Sequence, residues 1–565
     1  MLQARAAFTA CFAWRGLYSR RQSQWPALQA CEQESCVLKS GYVCAVDVGT
    51  GSARAGIFDR NGVLLGRAAC PIAMHQPLPN HAEHDSQDIW RAVCTAVREA
   101  RAKAGTAPHD IAGLAFDATC SLVVRDRQGG QVSVSTGGER RWDTIVWLDH
   151  RAIAEADECT HTGHAVLDFI GGVMSPEMAT PKLMWLKRHL PQSWAQAGHF
   201  FDLADFLSWK ATGSTARSQC TLTAKWTYLA HEAEPWRPDF FGMVDLGDLF
   251  ARANLPPRAS AVGASLGPLS PQAAQELGLT QACVVGTGVI DAYAGALGVL
   301  GRFAGDAPGI SRHLALIAGT SSCVMALSPE PQPFSGFWGP YFGAALPDLW
   351  LTEGGQSATG ALLDHIIRSH GAGGEPDIAM HARIVGRIME LRAAEGLDLA
   401  GRLHVLPDFH GNRSPLADPH AVGVISGLTL DASFDGLCRL YWRTAVAIAL
   451  GVRHVLETMN DNGYLIDTLH VTGGHTKNPL LMELYADATG CAVVEPLSDD
   501  SVLTGTASLA ATAAGLHPDL AAACIAMQQG GRRRAPNRQA AARFDRDYRV
   551  FLEMHRQRRA LDAIE

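Results

Sequence analysis

The stretch YVCAVDVGTGSARAGIFDRNGVLLGRAA, residues 42–69, decides the reading of the fold. Two apolar runs flank a Gly/Thr/Ser turn, and the turn signal Asp59-Arg60-Asn61-Gly62 leads into a third run. That spacing predicts a β-meander. An amphipathic helix is expected over residues 87–104, with Ser86 as its N-cap, followed by the strand IAGLAFDA at 111–118. Residues 284–301, VVGTGVIDAYAGALGVLG, again pass from an apolar strand to an apolar helix. After a Gly/Pro-containing connector at 302–309, SRHLALIAGTSSCVMALS (311–328) repeats the opening grammar of strand, Gly-Thr-Ser turn, strand. Two halves that begin with the same device predict two related α/β lobes meeting near residue 300, and a repeat this long excludes a solenoid.

Composition agrees. A chain of 565 residues, 47% hydrophobic and 18% charged, is too long for one domain of ~100–200 residues and too apolar to be disordered throughout. With 48 Lys+Arg against 56 Asp+Glu, the net charge of -8 offers no general attraction to nucleic acid or anionic lipid. No apolar run approaches the ~20 residues that cross a bilayer, so neither a nucleic-acid nor a membrane partner is expected. The 14 cysteines are scattered without a CxxC pair, which fits reduced thiols. Residues 1–40 carry Arg5, Arg15, Arg20 and Arg21 with no acid before Glu32. They read either as a mitochondrial-type targeting peptide or as a disordered extension or over-long start. The sequence expectation is a cytoplasmic protein, with organelle targeting left open.

Three glycine-rich elements carry the candidate chemistry. In Asp47-Val48-Gly49-Thr50-Gly51-Ser52-Ala53-Arg54, glycines let the backbone approach a ligand while hydroxyls and N–H groups line the turn. Alone, this is either a hairpin turn with an Asp cap or a phosphate nest with Arg54 as a charged fork. The second copy, Ala318-Gly319-Thr320-Ser321-Ser322, favours the nest, because a nucleotide clasped between lobes needs one such turn on each side. No GxxxxGK[ST] motif is present, which excludes a P-loop NTPase. Gly286-Thr287-Gly288 begins like a dinucleotide fingerprint but has Asp291 where the third glycine belongs. An acid at that strand-to-helix junction is either a helix N-cap or a catalytic group. The third element, LHVTGGHTKNPLLMELYADATG (469–490), is a strand, a diglycine loop and a helix, suited to a purine and ribose or to a tight connector. His161 and His164 read as solvent-facing, and RRRAPNRQAAARFDRDYR (532–549) as a solvated basic face or tail.

In this order, DVGTGS, VVGTGVIDA, IAGTSS and VTGGHTKN resemble the FGGY carbohydrate kinases of the actin/Hsp70/hexokinase superfamily. SPEMATPKLMWLK, LADFLSWKATG, CTLTAKWTYL, IVWLDHRA and GNRSPLADP are most similar to the pentulose kinases, D-ribulokinases above all. The resemblance implies two ribonuclease-H-like lobes with the active site in the cleft: an N-terminal lobe over 41–300, a C-terminal lobe over 301–550 and a tail over 551–565. It implies ATP-dependent phosphorylation of a ketopentose at its terminal hydroxyl, with D-ribulose first and L-ribulose, xylulose or a tetritol as alternatives. A non-kinase ATP clamp is the remoter alternative. Carried over by position, Gly49, Thr50, Gly51, Ser52 and Arg54 form the first phosphate turn, and Gly319, Thr320, Ser321 and Ser322 the second. Gly473, Gly474, His475 and Asn478 form the adenosine loop. Asp291 is the implied base, Asp47 and Asp291 the implied Mg2+ ligands, and Asp117, Thr119, Cys120, Asp149, His150 and Arg151 the implied sugar-pocket residues. A homodimer is compatible with the resemblance. The helix CRLYWRTAVAIALGVRHVLE (438–457) lacks an acid that many family members carry and is assigned no role.

Overall fold

In the computed structural model, which describes residues 41–498 and 500–564, the opening stretch folds as the meander its spacing predicts. The three strands are β1 (Tyr42–Val48), β2 (Ser52–Phe58) and β3 (Leu64–Pro71). The helix α1 (Ser86–Ala104) follows, then β4 (Ile111–Ala118), β5 (Val284–Gly286) and α2 (Asp291–Leu300). The cap of α1 is Asp85, whose carboxylate accepts the N–H groups of Gln87 and Asp88. Ser86 is drawn away because its hydroxyl donates to the buried Asp143 carboxylate at 2.6 Å.

The sheet runs Ser265–Pro268, β5, β4, β1, β2, β3, with the short strand Val289–Ile290 also on β4. β1 is antiparallel to β2 and parallel to β4, and the register sets Asp47 opposite both Arg54 and Asp117. Val289 lies opposite Asp117, so the chain leaves this row two residues before Asp291. A smaller sheet orders Met74–His75, Glu83–His84, Thr144–Ile145, Leu122–Asp126 and Ala197–Asp202. It brings the segments Thr119–Ser121 and Trp147–Arg151 side by side.

The second half repeats the plan. β6 (His313–Ala318) and β7 (Ser322–Ser328) form the second hairpin, extended by β8 (Trp338–Phe342) and β9 (Trp350–Gln356). The long α3 (Phe434–Asp461) precedes β10 (Thr468–Thr472), α4 (Pro479–Thr489), β11 (Ala492–Pro496), α5 (Ser501–Ala513), β12 (Gly531–Arg534) and α6 (Ala541–Asp562). The sheet order is β8-β9-β7-β6-β10-β11-β12, and β10 runs parallel to β6 as β4 does to β1.

One connection departs from a simple division at residue 300. α5 belongs to the second half in sequence but packs on β1 and β4 of the first sheet, while α2 lies against β6 of the second. The two helices touch through glycines. A Cβ on Gly298 would lie 1.9 Å from the Ser501 carbonyl oxygen, and one on Gly505 2.0 Å from that of Ala294. The core follows, joining Tyr293, Leu297, Leu503 and Ala507 to Val43 of one sheet and Met325 and Leu351 of the other.

The basic C-terminal segment is neither a tail nor a wholly solvated face. β12 pairs with β11, and residues 551–562 continue α6. That helix buries Asp547 against Arg443 of α3, with two contacts of 2.8 and 2.9 Å. His161 is exposed as expected, but His164 is half-buried, where its Nδ1 accepts the Val166 N–H and its Nε2 meets Asp239. No helix among the described residues is long and apolar enough to cross a membrane. Both readings of residues 1–40 lie outside the described residues.

Candidate active site

The row of β1, β2 and β4 gathers charge at the carboxyl end of the first sheet, where ligands of open α/β sheets bind. Asp47 is fully buried, with one oxygen 2.6 Å from an Arg54 guanidinium nitrogen. Apart from that ion pair, neither Asp47 oxygen has a hydrogen-bond partner among the described residues, and Asp117 Oδ1 has none either. The other Asp117 oxygen accepts the Thr506 hydroxyl of α5 at 2.5 Å. Burial raises the pKa of Asp47 against the pull of Arg54, and burial together with the Asp47 charge raises that of Asp117 well above the carboxylate range. Asp291 opens α2 without capping it; its carboxylate accepts only the next N–H, from Ala292 at 2.7 Å. Burial raises its pKa as well.

These orphaned carboxylate oxygens suit a hard divalent cation. Among the described residues no three acidic, His or Cys side chains stand close enough to enclose a metal. An ion such as Mg2+ takes one or two protein carboxylates and fills its shell with water and phosphate oxygens.

Both hydroxyl-rich turns are closed by their own backbone. The Gly49 N–H donates to the Ser52 carbonyl at 3.1 Å and the Gly319 N–H to the Ser321 carbonyl at 2.9 Å. Gly51 is exposed, with no atom within 4 Å of where a Cβ would stand. The Trp147 indole N–H donates to the Thr50 hydroxyl at 3.0 Å. In the second turn Thr320 is exposed and Ser321 half-buried, but Ser322 is fully buried and its hydroxyl pairs with that of Thr359 at 2.9 Å. Ser322 therefore braces the turn from inside. The diglycine loop lies beside it. Gly473 has φ +91° and passes so close to Ala318 that a Cβ would lie 2.5 Å from its carbonyl oxygen, so the position needs glycine. His475 is buried with Nδ1 2.8 Å from the Tyr485 hydroxyl. Burial lowers its pKa to about 4 against the Gly319 carbonyl, which makes it a neutral ring under the second turn. Asn478 caps α4 by accepting the Leu480 N–H and donates to the Tyr441 hydroxyl.

The residues expected in the sugar pocket divide. Asp149 and Arg151 have side chains with no exposure at all: Arg151 contacts Asp149 at 2.7 Å and Glu83 at 2.9 Å, and Asp149 also accepts the Ala82 N–H at 2.6 Å. Arg151 thus bridges two carboxylates, leaving the second Glu83 oxygen without a partner among the described residues, and the triad braces the segment 149–151 against the small sheet. Thr119 is buried and shares a hydrogen bond with Ser121 at 3.0 Å. Cys120 is half-buried and lies near Lys225 and Glu177. His150 is half-exposed, 3.9 Å from a Glu177 oxygen.

Four further residues complete the site. Lys225 is buried with no hydrogen bond or ion pair among the described residues, its ammonium 5.9 Å from the Trp338 ring. Burial opposes its charge, but Cys120, Glu353, Tyr341 and Glu177 outweigh burial and raise its pKa. Glu353 of β9 accepts the Tyr293 hydroxyl at 2.9 Å, two residues beyond Asp291. Arg413 stacks on Trp338 at 4.9 Å and reaches Glu177 of the other half at 3.3 Å. Burial would raise Glu177, yet Arg413 and His150 hold it at about 2. The signals in sequence were slight: one lysine within the apolar CTLTAKW, and one glutamate within a strand.

The model of the N-terminal domain of the FGGY family of carbohydrate kinases matches residues 42–298, and that of the C-terminal domain residues 314–514. A human FGGY carbohydrate kinase domain-containing protein is 44% identical over 541 residues, 91% of this chain and 96% of the relative. A D-ribulokinase of Saccharomyces cerevisiae is 36% identical over 513 residues, 84% of this chain and 72% of the relative. The crystal structure of xylulose kinase from Rhodospirillum rubrum superposes with a TM-score of 0.75 at 22% identity, covering 92% of this chain and 99% of that one. The paired hairpins, each with its own domain of the family matched in order, place the chain among the FGGY carbohydrate kinases, enzymes that transfer phosphate to a sugar.

Proposed function

We propose that the protein phosphorylates D-ribulose at its terminal hydroxyl, using ATP, with Asp291 as the base. The observation that supports this reading is that the Asp291 carboxylate, free of any capping bond, lies within the field of Arg54 of the first turn and of Lys225 and Glu353. The balance of charge there is two cations, Lys225 and Arg413, against Asp291, Glu353 and Glu177, which suits a neutral polyhydroxyl ligand better than an acidic one. The likeness to a yeast D-ribulokinase supports the pentulose over other sugars.

Phosphoryl transfer depends on positioning and charge neutralisation more than on covalent chemistry. The two turns hold the polyphosphate by the N–H groups of Thr50, Gly51, Thr320 and Ser321, which the turn bonds leave free, and by the Thr50 and Thr320 hydroxyls. Arg54 balances charge on Asp47. Asp291 orients the sugar hydroxyl and accepts its proton, a role that burial assists by making the carboxylate more basic. Mg2+, held by Asp47 and Asp291, would neutralise charge on the phosphates. Closure of the halves 41–300 and 301–550 would exclude water. The free thiols of every described cysteine support a reducing setting, the cytoplasm or a reducing organelle interior.

The test is ADP release measured with D-ribulose, L-ribulose, D-xylulose and glycerol at matched concentrations. D-Ribulose should give the highest kcat/KM. A higher value for any other would reassign the substrate.

A further inference from the structure

We infer that Trp147 is a positioning residue for ATP, fixing the Thr50 hydroxyl as a hydrogen-bond donor toward the bound phosphates. The inference rests on the placement of Thr50 in the first phosphate turn. An indole N–H can only donate. With Trp147 Nε1 3.0 Å from Thr50 Oγ1, one lone pair of the hydroxyl is taken and its own proton cannot return to the ring. Thr50 makes no other side-chain hydrogen bond among the described residues, so that proton is left for a ligand that accepts, as a phosphate oxygen does.

The backbone that carries the indole is itself held firmly. The Trp147 backbone N–H donates to Ser121 Oγ at 3.1 Å. The buried Lys182 ammonium donates to the carbonyls of Val146 at 3.0 Å and Trp147 at 3.3 Å. Ser121 bonds Thr119 through their hydroxyls at 3.0 Å, and the Thr119 N–H returns to the Val48 carbonyl at 3.0 Å, at the end of β1. The circuit closes on the turn that it positions. It also passes through Thr119, beside Cys120, so the nucleotide turn and the sugar side of the cleft share one set of hydrogen bonds.

The experiment is a double-mutant cycle on the full chain, with KM for ATP and for D-ribulose measured separately. Thr50→Val alone should raise KM for ATP. Trp147→Phe, which keeps the ring but loses the donor, should raise KM for ATP roughly fivefold and leave KM for D-ribulose within about twofold. In the Thr50→Val background the Trp147→Phe effect should vanish. Trp147→His, which retains a ring N–H, should recover part of the loss and gives a second variant should the phenylalanine one fold poorly. If Thr50→Val impairs ATP use but Trp147→Phe does not, or if the two effects simply add, the inference is wrong while the phosphate turn stands. If Thr50→Val leaves ATP use unchanged, the turn assignment fails and the inference with it.

Discussion

Asp291 was legible in the sequence because an acid stood where a strand-to-helix glycine would be expected, and the structure leaves that acid free of any capping bond to the N–H groups of the next turn. Replacing it by Asn keeps shape and polarity but removes the base. Turnover should fall by ~10²-fold or more with substrate affinities within several-fold of the original; near-normal turnover in a single-turnover assay would move the base elsewhere. Lys225 and Glu353 did not stand out in the sequence, because they come together only when β9 and the segment 220–226 meet. Lys225→Met keeps the length of the side chain and removes its charge. It should raise KM for the sugar ~10-fold or more while leaving KM for ATP nearly unchanged, since an unpaired buried polar group on the ligand costs ~1–3 kcal/mol; equal effects on both constants would make Lys225 a structural residue. Asp149 and Arg151 teach the converse. In a segment that resembles a sugar-binding one, their side chains are buried against each other and Glu83, and only those contacts show that they brace the segment 149–151.

The elements themselves were largely readable, for a physical reason. Hairpins such as β1-β2 and β6-β7 are set by local turn chemistry and by apolar runs that a short window contains. What the sequence concealed was tertiary: that α5 crosses back to the first sheet, and that α6 closes on α3 through Asp547 and Arg443. Helix contact through glycine makes a sharp prediction. Gly505→Val sets a branched side chain against the Ala294 carbonyl and should lower stability by ~1–3 kcal/mol or more, as overpacking does. It should also reduce kcat, because the displaced helix carries Asp291. A thermal melt and a rate assay on the same preparation check both; an unchanged melting temperature would mean that the helices separate without cost. Asp547→Ala strands a buried guanidinium and should cost ~3–5 kcal/mol, measured by urea unfolding, which a dispensable C-terminal tail would not.

The whole molecule should be sensitive to acid. Burial lowers His454, His475 and His555 to about 4 and His470 to about 3, from an ordinary 6.5. Each binds its proton more weakly folded than unfolded, so its contribution to stability is full above pH ~6.5 and is lost as the pH falls toward 4. The melting temperature should drop across that window, and His470→Asn should flatten the drop; a melting temperature constant from pH 7 to 4 would show that these rings are more open to water than they stand here. The central claim is that the two halves hold ATP and a pentulose so that Asp291 can act between them. The most direct measurement is the rate of ADP release with and without D-ribulose, for the original protein and for Asp291→Asn. The sugar should accelerate ADP release manyfold in the first and almost not at all in the second, with one D-ribulose 5-phosphate formed per ADP. An acceleration that survives in Asp291→Asn, or none in the original protein with any pentulose, would contradict the account.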